Sequence, residues 1–452
     1  MGSVRAWMVA VFASLVLAAP AGLRAAATPA AQHDSVPHLG VASCGGSTCH
    51  GRQEATGPRV RQNERLTWAD PASLTGAHAR AWKILGAPRA RAIGDRLGIA
   101  DVSASRDCTA CHGDPAPNRG AQFQQSDGVG CEACHGGAGG KAGWLAGHAA
   151  GASHADNVAN GLWAIDRPAL RANLCLDCHF GSAKPGQFVT HRIMAAGHPR
   201  LSFELDLFTS LQAHHDEDRD YAARKRIAGG VQTWAIGQAL AVERALTLYP
   251  ARSAGAFPEF VFFDCRSCHR SFSDDPAVAL VARRNAARPM PPGQPLWNDE
   301  NMLLLAAAAS VAAPTLAPQL ERQSRALHAS FGIGRTDALA AGAALSRTAA
   351  QLAAQFERGR FGKAETLAML DAVLVRNADR YTDYQGGTQA VMAADTLLAA
   401  LVAAGQADRA AVLALRPDLD RAYAAARDAN AWSPPAFRAA LAGIAARVRQ
   451  LA

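Results

Sequence analysis

Ten cysteines stand in five pairs, and a histidine follows the second member of every pair. Four pairs read CxxCH: Cys108, Cys111 and His112; Cys131, Cys134 and His135; Cys175, Cys178 and His179; Cys265, Cys268 and His269. The first in the chain reads CxxxxCH instead, with Cys44, Cys49 and His50 in "SCGGSTCHGR". CxxCH is the spacing of c-type haem attachment. Two thioethers must reach the two vinyl groups on one edge of a porphyrin, and the next imidazole must reach the iron as its proximal ligand.

Three other chemistries use paired cysteines. Disulfides are at home in an exported protein, but they give no reason for five histidines at one fixed position. Zinc sites combine two CxxC units, or one unit with distant histidines. A thioredoxin-like motif needs a βαβ setting, and strand signals are almost absent here. Haem therefore accounts best for the four regular sites. A longer CxxxxCH loop carries two thioethers if it bulges, and Gly45 and Gly46 supply a permissive backbone. The expectation is five haem c groups, with a Cys44–Cys49 disulfide as the alternative at the first site.

A bis-histidine iron needs a distal imidazole. Ten histidines lie outside the motifs. His78, in "LTGAHARAWKIL", and His148 and His154, in "WLAGHAAGASH", are candidates. So are His191 and His198, in "VTHRIMAAGHPR", which would share a helix face if the helix held to Gly197. His214 and His215 open "HHDEDRD" and read as a solvated charged turn. His328 sits in an Ala-rich helix as a spare. His33 and His38 lie near the start of the mature chain and read as mobile.

The elements that must position these groups are helical. Fold class is read as mainly α: a multihaem cytochrome c region with little regular sheet, residues 28–287, followed by an Ala-rich helical bundle. Residues 221–249 read as one long helix. The Pro-rich stretch 288–297, "RPMPPGQPLW", reads as a linker. Beyond it, residues 298–452 carry no cysteine and show apolar residues at helical spacing, giving five or six helices with a packing role or a homo-oligomer contact. Residues 1–27 have a basic start, a short apolar run and small residues before Ala27, the pattern of a cleaved secretory signal. The mature chain is expected in a periplasm, without a membrane span. The formal charge of +8 comes from scattered rather than clustered basic residues, which argues against nucleic acid as a partner.

The series "TGAHARAW", "CTACHGDP", "GVGCEACHGGAG" followed by a Gly-His, and "CLDCHFG" resembles the cytochrome c-554 family of multihaem cytochromes, over roughly residues 40–270. The later "FVFFDCRSCHR" resembles a fifth haem of longer relatives. The resemblance implies helical haem packing, stacked haem pairs, electron transfer, and distal roles for His78 and His148. It also implies that one haem can lack a distal protein ligand. The expected function is electron transport between redox partner proteins through five haems. The alternative is an oxidoreductase acting on a small nitrogen or sulfur compound at one five-coordinate iron. Every motif here ends in histidine, with no CxxCK variant.

Overall fold

The helix Gly230–Arg252 organises the molecule. Every residue from Val231 to Val242 is buried, so the helix is covered on all sides rather than on one stripe. It packs against Pro168–His179, Leu205–Leu211, Glu300–Ala312, Arg335–Arg358 and Tyr384–Ala403. The computed structural model describes residues 34–57, 61–141, 143–215, 219–253, 258–269, 288–289 and 294–451. The signal-like segment 1–27 and His33 lie outside the described residues. Among those residues the fold is helical without a strand, and only two isolated bridges, His38–Arg119 and Phe263–Trp297, join extended segments.

One apolar core runs from Ala172 to Val448. It joins the helix of the fourth motif to the C-terminal helices. The residues before Ala169 contribute nothing to it. Their buried apolar side chains, such as Val41, Trp68, Leu85 and Trp144, are scattered.

The expected helix over 221–249 is two elements. A short helix, Arg219–Arg224, ends before Gly229-Gly230, and Gly229 caps the long helix with extended backbone. The C-terminal region holds seven helices of nine residues or more. That exceeds the five or six expected; Ala317–Ser330 is polar overall, yet it buries Leu320, Ser324 and Leu327 at helical spacing. Tyr384–Ala403 is long and apolar enough to cross a membrane by length and composition, yet most of it is buried against other helices.

The described ends of the Pro-rich stretch are locked into this core. Trp297 is fully buried and stacks between Phe262 and Phe331. Buried Arg288 is ion-paired to Asp299, Asp383 (2.9 Å) and Asp264 (3.6 Å). Asp264 precedes Cys265, so this cluster ties the fifth motif to the C-terminal helices. The fourth motif is tied in a similar way: Arg244 of the central helix pairs with Asp177 at 2.7 Å and donates to the Gly181 and Asn173 carbonyls. A buried charge needs its partners, so each cluster holds its motif in one place.

Gly237 marks the closest approach of the central helix to Leu205–Leu211. A Cβ there would come within 2.7 Å of the Leu205 Cβ, an atom that cannot swing aside. Gly237→Ala is therefore expected to cost about 1–3 kcal/mol of stability by overpacking, read from the denaturant midpoint of the holoprotein by far-UV circular dichroism.

Candidate haem sites

Within each motif, one backbone hydrogen bond closes the loop. His135 N–H donates to the Cys131 carbonyl at 2.9 Å, and His269 N–H to the Cys265 carbonyl at 2.7 Å. Cys108 to His112 and Cys175 to His179 lie within the helices Arg106–His112 and Pro168–His179. The first motif reaches the same closure by another route. The helix Val41–Cys44 stops at Gly45, Cys49 N–H bonds to the Gly46 carbonyl, and His50 N–H donates to the Cys44 carbonyl at 3.0 Å. The two extra residues loop out, and the histidine still returns to the first cysteine. Close approach, not a left-handed backbone, singles out Gly45 and Gly51: Gly45 has φ −84°, and a Cβ on Gly46 would meet nothing. A Cβ on Gly45 would strike the Arg65 side chain, and one on Gly51 would strike the Gly45 carbonyl.

Each motif histidine faces another histidine. Ring centres are 5.9 Å apart for His50 and His148, 6.1 Å for His179 and His78, and 6.2 Å for His112 and His198. They are 6.0 Å apart for His269 and His191. His135 faces two, His215 at 5.8 Å and His214 at 6.3 Å. Two imidazoles bound trans to one metal, at about 2.0–2.1 Å per bond, have ring centres roughly 6 Å apart. The spacing of all five sets therefore fits an iron between the rings, and imidazole is the donor that a low-spin haem iron takes.

Local structure explains who faces whom. His78 follows a tight turn, Leu74–Ala77, and His148 lies in the short helix Leu145–Ala149. His191 starts a helix that Thr190 caps by accepting the Ile193 N–H. That helix ends at Ala195, and Gly197 at φ +114° turns the chain. His191 and His198 thus part company and reach different motifs, instead of sharing one face.

The remaining histidines divide differently from the expectation. His154 faces no motif histidine among the ring contacts; its Nε2 lies 3.5 Å from Asp166. His214 and His215, read as a solvated turn, are brought to His135, and the ligand atoms of all three lie within 4.8 Å of one another. A proximal imidazole at that point outweighs the local charge pattern, which no sequence window of a few residues contains. His38 is not mobile: it is fully buried, with Nδ1 2.7 Å from Asp114 and its backbone bonded to Asn118 and Gly120. His328 is a buried core residue whose Nδ1 donates to the Ser324 carbonyl at 2.7 Å.

A connected cavity of about 2370 Å³ holds the cysteines and histidines of the first four motifs, with His78, His148, His198, His214 and His215 on its other walls. Cys44 lies near Cys131, and Cys111 near Cys178, close enough for each thiol to perturb the ionisation of the other. Attachment points of different motifs are therefore adjacent. The fifth motif lies outside this cavity. Cys49 and Cys268, at the first and fifth sites, are the two exposed cysteines. All ten cysteines are free of disulfides, Cys44 and Cys49 included.

His135 and His179 keep some surface toward the cavity, yet burial pushes both down to about 3. Burial likewise lowers His78 to about 4. These rings stay neutral at physiological pH, with a lone pair available to a metal. His50 is raised instead, first by its hydrogen bond from Nδ1 to Glu64 at 2.9 Å.

The region before Pro168 lines the cavity but joins no apolar core, so its order depends on what fills that space. Limited proteolysis of chain lacking haem is expected to remove the part before the helix Pro168–His179 and leave a resistant helical fragment. Mass spectrometry of the digest checks this, with uniform resistance as the contrary result.

Residues 69–136 match the family described as cytochrome c554 and c-prime. The matched span includes His78, the whole second motif and the whole third motif. No curated protein and no solved structure matched the chain. Two haem-attachment motifs lie within this cytochrome c554 match, which supports a c-type cytochrome that binds haem covalently and serves in electron transfer.

Proposed function

We propose that the protein is a five-haem electron carrier, exported to a periplasm, that passes electrons between two redox partner proteins. The observation that carries the count is the repetition of one arrangement five times: a cysteine pair closed onto a histidine, with a second histidine about 6 Å away. Bound haem supplies one-electron exchange at its iron. The cysteines hold the ring by thioethers: Cys44 and Cys49, Cys108 and Cys111, Cys131 and Cys134, Cys175 and Cys178, Cys265 and Cys268. The proximal ligands are His50, His112, His135, His179 and His269.

The distal ligands in this reading are His148, His198, His78 and His191, with one of His214 and His215 opposite His135. An imidazole on both faces leaves no position for a small molecule, which favours carriage over turnover. Exposed Cys49 and Cys268 put the first and fifth sites where partner proteins can approach. The looped-out first motif belongs in the count because His50 regains the backbone closure of the regular motifs. The N-terminal 27 residues support export by their pattern.

A pyridine haemochrome assay on purified protein should return five haems per chain, and electron paramagnetic resonance of the oxidised protein should show low-spin iron only. A high-spin signal that binds nitric oxide and turns a substrate over would instead favour the oxidoreductase reading. His78→Ala is expected to convert one haem to high spin. His214→Ala and His215→Ala should each remain low-spin, because the neighbour can bind, while the double variant should not.

A further inference from the structure

The first site differs from the second, third and fourth in what holds its proximal histidine. His112 and His179 end helices that orient their rings from the backbone. His50 follows a looped-out turn and has no such frame. The helix Glu64–Trp68 holds it instead by two consecutive residues. Arg65 N–H donates to the His50 carbonyl at 3.0 Å, and the Glu64 carboxylate accepts the His50 Nδ1–H at 2.9 Å. The other haem-facing rings with a bond at Nδ1 give it to neutral carbonyls: His112 to Ala81 (3.0 Å), His198 to Pro199 (2.7 Å) and His214 to Gln212 (3.0 Å).

The acceptor matters because a ligating imidazole passes the pull on its outer proton to the metal. A carboxylate draws that proton harder than a carbonyl does and makes Nε2 a stronger donor. A stronger, more anionic donor stabilises ferric over ferrous iron, as does the nearby negative charge of the carboxylate itself. Glu64 is mostly shielded, with 15% of its side chain exposed, so water screens this effect only partly.

We propose that Glu64 is a positioning residue for the first site: it aims His50 Nε2 at the iron and holds this haem's potential below the value it would have without the carboxylate. The proposal rests on the reading that Cys44 and Cys49 carry a haem, and its test separates the two.

The test uses the holoprotein, with Glu64→Gln and Glu64→Asp, in a redox titration followed by visible and electron paramagnetic resonance spectra. His148→Met serves as a marker, since it changes the ligation of this haem alone and identifies its low-spin signal. In Glu64→Gln that same signal should move, and its ferric–ferrous equilibrium should shift at least tenfold toward the ferrous form. For a one-electron couple this is about 59 mV upward. The other four haems should keep their potentials, and Glu64→Asp should restore part of the shift. Five bound haems with unmoved potentials, or an equal shift at every haem, would overturn this inference alone. A wild-type count of four, with the Cys44 and Cys49 thiols titratable, would overturn both it and the five-haem reading.

Discussion

Two imidazole rings held about 6 Å apart, five times over, are the constraint on which the architecture depends. In the five-haem reading an iron would set that gap through two short bonds in line, which tolerate little error. A chain satisfies it by fixing one histidine close to the cysteines in sequence and delivering the other from elsewhere in the fold. The near half is local and repetitive. The far half is not: His78 precedes its partner motif by some hundred residues, while His148 follows its own by about as many.

This division explains why the two halves of the chain are built so differently. The part before Pro168 has short helices, tight turns and scattered buried side chains around a large cavity, which in the five-haem reading the cofactors would fill. The part after it has a dry core of Leu, Ala and aromatic side chains around Gly230–Arg252. The Arg244–Asp177 bond and the Arg288 cluster lie within this second part, each reaching a residue inside or directly before a cysteine motif, while Gln187 donating to the Ala110 carbonyl and Arg96 donating to the Ala196 carbonyl join the two parts. The C-terminal helices thus act as the rigid body against which the fourth and fifth motifs are placed.

The bulged first motif shows how a local irregularity is absorbed. Two added residues would move His50 off its mark if the backbone simply continued. Instead Gly45 and Gly51 let the turn fold onto itself, and the carbonyl of Cys44 still receives the histidine N–H. Glu64 and Arg65 then replace the support that a helix gives elsewhere.

Cysteine spacing and the histidine after each pair pointed to covalent haem, because thioether geometry is satisfied within a handful of residues, and the match over residues 69–136 supports it. Ala-rich periodicity was enough for a mainly helical fold. Distal partners were legible only as candidates: His78, His148, His191 and His198 come to motif histidines, His154 does not, and His214-His215 arrive from a segment whose charges suggested solvent. The Gly197 turn that separates His191 from His198, and the buried Arg288 at the edge of an apparent linker, were equally invisible to local pattern. Ligation across the fold is decided by where helices cross and which carboxylate or carbonyl holds each ring. Such contacts join residues far apart in the chain, so they exist only once the helices have packed.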